Sequence, residues 1–497
     1  MTPYRLCFLD FFILSLLCSF SVHAHPLTTP SLAPPADPKF LSLALTAPPV
    51  NNALKELQQS NITQPHAYII HQQHLNHALS RFAKMTNRSK SLTREILVNA
   101  MNNRIGTIPK RFRGVHWMRE PQSGDNVGLS IWGQDLGYIA TAQLGTPPRD
   151  FRLLVDSGSA DLWVGGEGCE SNDGGDSCGP HPLLGPSSSS SFAYISNVST
   201  FDETNPPWIL NYVTGSVSGV LVQDDVTIGG VKIQSHAFGA ALRESNDFTR
   251  DDIPFDGLLG LAKKDVSQQR LPPLLSSLYN ASLISAPIAA YKLPRSKDHH
   301  NPATVQGELT IGALNRALYD PRTLVQVENV NPFGYFGVQM GGVVVGGKDM
   351  GWSNRTGLVD SGTVLVVAPQ MDVDIIHSNI PGAVKSPSDA AAGEPGTWSV
   401  PCDMKTRVGI KVGGRTFELD PRDVAMWPVD NGSGGGNSDG GDAGGTHPRR
   451  MCVSGISPGT VGPFHLDTDW MLGSVFLKNV YFATDEEKDV VLMARLK

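Results

Sequence analysis

A chain of 497 residues, 40% hydrophobic and 18% charged, is long enough for two or three domains and has the composition of an ordered globular protein. Its 51 glycines and 36 prolines speak for many turns. The formal net charge of −7 hides an asymmetry: residues 1–111 hold 11 of the 40 Lys+Arg and 4 of the 47 Asp+Glu, which leaves residues 112–497 at −14, a body that repels nucleic acid at neutral pH.

At the N-terminus, Arg5 precedes an apolar run from Leu6 to Phe20 broken only by Asp10, and Val22-His23-Ala24 offers a small-residue cleavage site. This is the pattern of a signal peptide over residues 1–24. A membrane anchor is not expected, because the run falls short of the ~20 apolar residues that a span requires. No later stretch is long enough, and the charged end Met493–Lys497 lacks the apolar tail of a lipid-anchor signal. A secreted chain is expected, with a vacuolar or lysosomal destination as the alternative. Cys7 and Cys18 leave with the signal. The even set that stays, Cys169, Cys178, Cys402 and Cys452, fits disulfides. No CxxC or His-rich spacing speaks for zinc, and neither metal nor cofactor is expected. Six Asn-x-Ser/Thr sites, at Asn61, Asn87, Asn197, Asn280, Asn354 and Asn431, are compatible with a glycoprotein.

Residues 25–111 differ in texture from the rest of the chain. Their Pro- and Ala-rich opening reads as loosely ordered, and from about Asn52 to Met101 the pattern is more helical. The segment carries 10 Lys+Arg, 3 Asp+Glu and five histidines (His25, His66, His71, His74, His77), and it ends at Lys110-Arg111. It reads as a basic propeptide that covers the acidic body and inhibits it, removed by cleavage after Arg111. The plainer alternative is a disordered basic leader. By charge alone, the attraction falls when the body's carboxylates protonate near pH ~4, whereas histidines titrate near ~6.5 and would then gain charge beside an acidic surface. Release is therefore expected nearer the carboxylate range.

From Gly128 the chain turns to short strands with turn signals. Gly137–Leu144 is a strand, Gly145-Thr146-Pro147-Pro148 a turn, and Phe151–Val155 a second strand. Strand-like runs continue at Val217–Val222, Val226–Ile228 and Val231–Ile233, with Gly229-Gly230 as a hairpin turn, and the character returns at Tyr335–Val345 with Gly346-Gly347. Only Leu271–Leu283 and Met371–Ile376 look helical. A mostly β, mostly antiparallel protein is expected. Glu167–Ser191 and the Gly/Ser/Asp-rich Asp430–Thr446 read as surface loops.

One stretch occurs twice. Leu154-Val155-Asp156-Ser157-Gly158-Ser159 returns as Leu358-Val359-Asp360-Ser361-Gly362-Thr363, with the two aspartates 204 residues apart. Each is an apolar run that ends in a carboxylate and a glycine turn. The repeat implies two similar lobes, residues 112–320 and 321–497, each delivering one Asp to a shared centre. Three cysteine pairings are formally possible. Cys169–Cys178 and Cys402–Cys452 each close a loop inside one lobe and are the expected ones. Two carboxylates held close together cannot both ionise easily, so one keeps a proton and the other serves as base. The repeat extends further, since Phe255–Leu261 and Trp470–Phe476 each place two apolar residues before a glycine.

Taken together, these motifs resemble the pepsin-like aspartic proteases, from about Gly137 to the C-terminus. The resemblance implies a two-lobed β fold with a cleft between the lobes, and an aspartic endopeptidase that cleaves extended polypeptides at acid pH. Asp156 and Asp360 would hold and activate a water. Ser157 and Ser361, where the family usually has threonine, would hydrogen-bond across the lobes. Gly158 and Gly362 would allow close backbone approach, and Ser159 and Thr363 would bond the outer carboxylate oxygens. Tyr212 looks like the flap tyrosine, followed by Thr214 and Gly215, and Trp163 like its partner. Val213 replaces a common glycine beside that tyrosine, and Ala160-Asp161 replaces a more usual Ser-Asn. A monomer is expected, with polypeptide substrates and its own propeptide as partners. The alternative within the fold is a pepsin-like binding protein with weak or no activity. A glycoside hydrolase also uses two carboxylates but needs neither the repeat nor the matched turns.

Overall fold

The computed structural model describes residues 41–45, 67–86, 137–172, 177–195, 206–211, 216–249, 253–295, 298, 307–385, 397–429, 450–461, 464–465 and 468–497. All of them fall in one compact unit, Lys39–Lys497. Two eight-stranded sheets carry the two halves of the repeat, and a six-stranded sheet draws on both.

The first half opens with the hairpin Ile139–Leu144 and Arg149–Asp156, with Ile139 opposite Leu154. Alternation sets which face is inside: Phe151, Leu153 and Val155 are fully buried, while Asp150 and Arg152 point to solvent. Ser216–Ile228 and Val231–Glu244 form the long hairpin expected around Gly229-Gly230. Both glycines have positive φ, 57° and 82°, the requirement of a two-residue hairpin turn. In the second half Gly346 and Gly347, at 56° and 85°, do the same between Gly337–Val345 and Lys348–Asp349. The helices Leu274–Asn280 and Gln370–Ser378 stand inside or across the two stretches that looked helical.

The sequence pattern of the two Asp turns has a topological cause. Arg149–Asp156 runs parallel to Gly257–Gly260, so that Asp156 lies opposite Gly260. Arg355–Val359 runs parallel to Asp469–Leu472, so that Val359 lies opposite Leu472. Each downstream apolar-apolar-Gly element is thus the strand beside an Asp strand. Its glycine is needed there: a Cβ on Gly260 would lie 2.5 Å from the Ala160 carbonyl carbon, and one on Gly473 would lie 2.5 Å from the Leu365 oxygen.

Two expectations need correction. Leu41–Leu45, in the stretch read as loosely ordered, is a strand on the edge of the six-stranded sheet, with Leu41 opposite Ile311 and Leu45 opposite Gly307. An exposed edge offers unpaired backbone groups to any extended segment, whatever its local propensity. Glu167–Ser191 is not simply a loop either. The strand Leu162–Ser171 runs through its start, Leu184 is fully buried, and Ser189 and Ser191 both donate to the buried Asp224 carboxylate. Its serines are structural partners that a composition argument reads as solvent-facing. Asp430–Thr446 lies outside the described residues.

Both disulfides are present, Cys169–Cys178 and Cys402–Cys452. Among the described residues no helix is long and apolar enough to cross a membrane.

Candidate active site

The two turns at the ends of the Asp strands meet. Ser157 N donates to Ser361 Oγ at 2.9 Å, and Ser361 N donates to Ser157 Oγ at 2.9 Å. Ser361 Oγ also donates to the Val155 carbonyl at 3.2 Å. Serine keeps the hydroxyl that this reciprocal link needs, and all three bonds are buried. The carboxylates are held alike. Gly158 N and Ser159 Oγ donate to Asp156 at 2.9 and 2.6 Å, and Gly362 N and Thr363 Oγ1 donate to Asp360 at 3.0 and 2.6 Å.

Gly158 and Gly362 are required by proximity. A Cβ on Gly158 would stand 2.5 Å from Asp360 Oδ1, and one on Gly362 would stand 2.5 Å from Asp156 Oδ1. Each carboxylate therefore reaches over the opposite turn, and only a bare backbone leaves room for it.

A group that sequence reasoning did not single out lies between them. The helix Ala67–Met85, inside the expected propeptide, places the Arg81 guanidinium on both carboxylates. Its Nε donates to Asp360 Oδ2 at 2.5 Å, and its terminal nitrogens reach Asp360 Oδ1 at 2.9 Å and Asp156 Oδ1 and Oδ2 at 2.5 and 3.1 Å. A planar fork of donors matches two carboxylates at once, as an ammonium could not. One signal was available: Arg81 sits at helical spacing from His74, His77, Ala78 and Met85, a charge at the edge of an apolar and histidine-bearing stripe. A charge placed there needs an opposite charge facing it.

The electrostatics follow from burial and this cation. Burial works against the charge on Arg81, but Asp156 and Asp360 outweigh it and raise its pKa. Asp156 and Asp360 are 1% and 0% exposed. Burial pushes both upward. At Asp156 the Arg81 charge and the Arg81, Ser159 and Gly158 hydrogen bonds overcome it and hold the carboxyl below its usual range. At Asp360 burial and the neighbouring Asp156 charge win over Arg81, and its pKa is raised.

The helix is anchored well beyond Arg81. Leu75, Leu79, Phe82 and Met85 are 4% exposed or less, and each such burial stabilises the docked state by about 1.5–3 kcal/mol. Tyr68 Oη bonds Ser399 Oγ at 2.8 Å, Asn331 Nδ2 donates to the Met85 carbonyl at 2.9 Å, and His77 Nε2 meets the Gly362 carbonyl at 3.1 Å. Lys84 Nζ donates to the Asn211 carbonyl. Asn211 closes the strand Trp208–Asn211 and lies opposite Ser216.

Tyr212, Thr214 and Gly215 come directly after Asn211 and lie outside the described residues, as do Lys110 and Arg111. Trp163 is buried at 1% and packs edge-on against Phe248 at 5.5 Å. Asp161, one of the departures from the family pattern, accepts from Ser267 Oγ at 2.6 Å and from Gln268 N at 2.9 Å. It pins a loop and does not reach the dyad's hydrogen bonds.

The family model described as eukaryotic aspartyl protease matches residues 137–496. A probable aspartic-type endopeptidase CTSD of Arthroderma benhamiae is 28% identical over 76% of this chain and 64% of its own length. Human Napsin-A is 30% identical over 76% of this chain and 80% of its own. Cathepsin E-A of Xenopus laevis is 28% identical over 72% and 79% respectively. The chain thus spans less than two thirds of the first of these relatives.

Proposed function

The chain belongs to the eukaryotic aspartyl protease family, and from that premise we propose that it is an acid-acting aspartic endopeptidase held latent by its own N-terminal segment. The observation that carries the reading is the pair of matched turns that brings Asp156 and Asp360 onto one guanidinium. The same oxygens that grip Arg81 are placed to grip a water once Arg81 leaves.

In the proposed reaction the water oxygen attacks the peptide carbonyl carbon. Its proton passes to the ionised carboxylate, while the protonated carboxyl gives its proton to the carbonyl oxygen. The tetrahedral intermediate then breaks its C–N bond, and the amine leaves with a proton from the dyad. Ser159, Thr363 and the two glycine N–H groups hold the outer oxygens, so the carboxylates keep their orientation through the cycle. Substrate is an extended polypeptide, bound by strand-like hydrogen bonds after the helix Ala67–Met85 has vacated the cleft. The lobe boundary lies near Asp320, the mature chain begins after Arg111, Tyr212 covers the cleft, and the product is a secreted monomer.

The test is a pH step on the purified precursor. Hydrolysis of a denatured protein should appear after acidification, stop with a statine-type inhibitor, and be missing in Asp360→Asn. Acid-treated, N-terminally processed protein that cleaves nothing would favour the pepsin-like binding protein instead.

A further inference from the structure

The helix Ala67–Met85 carries three histidines at a spacing of three, His71, His74 and His77, and all of them face the body. His71 is 1% exposed, and its Nε2 meets Ser457 Oγ at 2.5 Å. His74 lies flat on the Trp427 indole, with centroids 5.4 Å apart and planes at 19°. His77 touches the Gly362 carbonyl of the second Asp turn. His71 Nδ1 and His74 Nε2 are buried without a well-formed hydrogen bond. A charged imidazolium needs partners for both N–H groups; among the described residues His71 has only a backbone contact with Ser454 to offer its second ring nitrogen, and His74 Nε2 has no hydrogen-bond partner.

We propose that this histidine row is the acid trigger of the latent protein: protonation of the released imidazoles ejects the helix from the cleft. The proposal rests on the protease reading above and adds to it the group that sets the activation pH.

The surroundings set the sign. His71 faces the strands Met451–Ser454 and Ile456–Pro458 through Ser454 and Ser457, which carry no charge. Burial lowers it to about 4, and a backbone contact with Ser454 opposes this only in part. His74 faces Trp427, and burial followed by the charges of His77 and His71 lowers it to about 3. His77 is lowered to about 4 by burial and then by Arg81. The Gly362 carbonyl and the Asp156 carboxylate pull the other way, and Lys84 adds to the lowering. Asp360 is engaged by Arg81. His377 lies behind the same wall, bonded to Ser454 Oγ at 2.8 Å, and belongs to the body whether or not the helix is docked. Among the described residues no carboxylate is placed to reward a charge on His71 or His74.

A free histidine titrates near ~6.5. The docked rings stay neutral well below that, so between the two values only the released helix takes up protons. Docking is then fully present above the free value and is lost as the pH falls through this window, by up to about tenfold per pH unit for each ring. Three rings give at most about 10³ per unit. His74 and His77 keep part of their rings in solvent, so the slope lies between one and three protons, with His71 the largest contributor. Charge counted along the chain gives the opposite sign, because it sets the histidines over an acidic surface. His71 and His74 lie instead against uncharged walls, and at His77 burial and the Arg81 guanidinium outweigh the Asp156 carboxylate, which moves the threshold from the carboxylate range up to the histidine range.

The experiment uses the full precursor and two readouts at each pH from 8 to 3: amide hydrogen exchange over residues 67–85 soon after the pH step, and the later appearance of hydrolysis. Variants are His71→Gln alone and the triple His71→Gln, His74→Gln, His77→Gln; glutamine keeps a polar contact and cannot charge. The expected result for the natural chain is loss of helix protection between pH ~6 and ~5 with more than one proton taken up. The triple variant should lose it at least one unit lower and less steeply, and His71→Gln should fall between. If the triple variant is not protected at pH 8, the single variant carries the comparison. An unchanged midpoint in whichever variant is protected at pH 8 overturns the trigger. Helix release that depends on the histidines in a protein that never hydrolyses any substrate would sustain the trigger and overturn the protease reading.

Discussion

The two Asp turns are near copies in sequence and in hydrogen bonding, yet they do not behave alike. Each carboxylate takes one backbone N–H and one hydroxyl from its own turn, at distances that agree within 0.1 Å. Around them the structure is unequal. Ser361 Oγ reaches the Val155 carbonyl in addition to its cross-turn bond, while Ser157 Oγ has the cross-turn bond alone. His77 touches Gly362, and Arg81 sets its Nε and one outer nitrogen on Asp360 and both outer nitrogens on Asp156. The result is a carboxyl held below its usual range at Asp156 and one raised at Asp360. Local sequence builds two equal holders, and what is packed against them pushes the two carboxyls in opposite directions while Arg81 is docked.

The most severe break in this comparison removes one holder. Asp156→Asn or Asp360→Asn should each lower hydrolysis by the processed protein about 10²- to 10⁴-fold, with the circular dichroism spectrum unchanged. Turnover within tenfold of the natural chain in either folded variant would show that the dyad is not the catalyst.

Next comes the shared bridge. Arg81→Ala in the precursor leaves two buried carboxylates without their cation, a change of about 3–5 kcal/mol against docking. Apolar contacts from Leu75, Leu79, Phe82 and Met85 remain, so latency should weaken without vanishing. Activity before acidification should rise by about 10²- to 10³-fold or more. Equal latency in Arg81→Ala and the natural precursor would assign inhibition to the apolar face alone.

The cross-turn link tests the asymmetry by stability. Ser361→Ala removes two buried hydrogen bonds and Ser157→Ala one, so the first should cost about 1 kcal/mol more than the second. Thermal unfolding of both variants in an Asp360→Asn background avoids self-digestion. A larger loss from Ser157→Ala would contradict this unequal arrangement of the two hydroxyls.

The smallest effect is a shift in pH profile. Ser159→Ala removes a hydrogen bond that favours ionised Asp156, so the Asp156 pKa rises. A rate that needs this carboxylate ionised then loses its acid limb at higher pH, by about one unit. Thr363→Ala removes the matching bond from Asp360, which is raised while Arg81 is docked, and should move the acid limb less where that asymmetry outlasts Arg81. Profiles of kcat/KM for the two variants decide between them.

Much of this was legible in the chain. The repeat named both aspartates, both glycines and the four hydroxyl side chains, because a carboxylate on a tight glycine turn has a short local signature. The hairpins at Gly229-Gly230 and Gly346-Gly347 were legible for the same reason: positive φ selects glycine. The strand Leu41–Leu45 was not, since its pairing is supplied by the edge at Gly307–Ile311. Ser189 and Ser191 carry no local sign that Asp224 waits for them.

The sequence by itself pointed to the fold class and the two matched Asp turns, which rest on residues that act within a few positions, and it favoured one of three cysteine pairings. It also determined that a basic, histidine-bearing segment precedes an acidic body. Only the tertiary structure decided what that segment does there. Charge can be counted along a chain, but its effect depends on what surrounds it. Arg81 became the bridge between the carboxylates because the helix Ala67–Met85 docks with that face inward. His71 and His74 resist protonation because burial strips them of water against walls without charge, and His77 because burial and the Arg81 guanidinium outweigh Asp156. Desolvation is a property of the packed state and leaves no mark on composition.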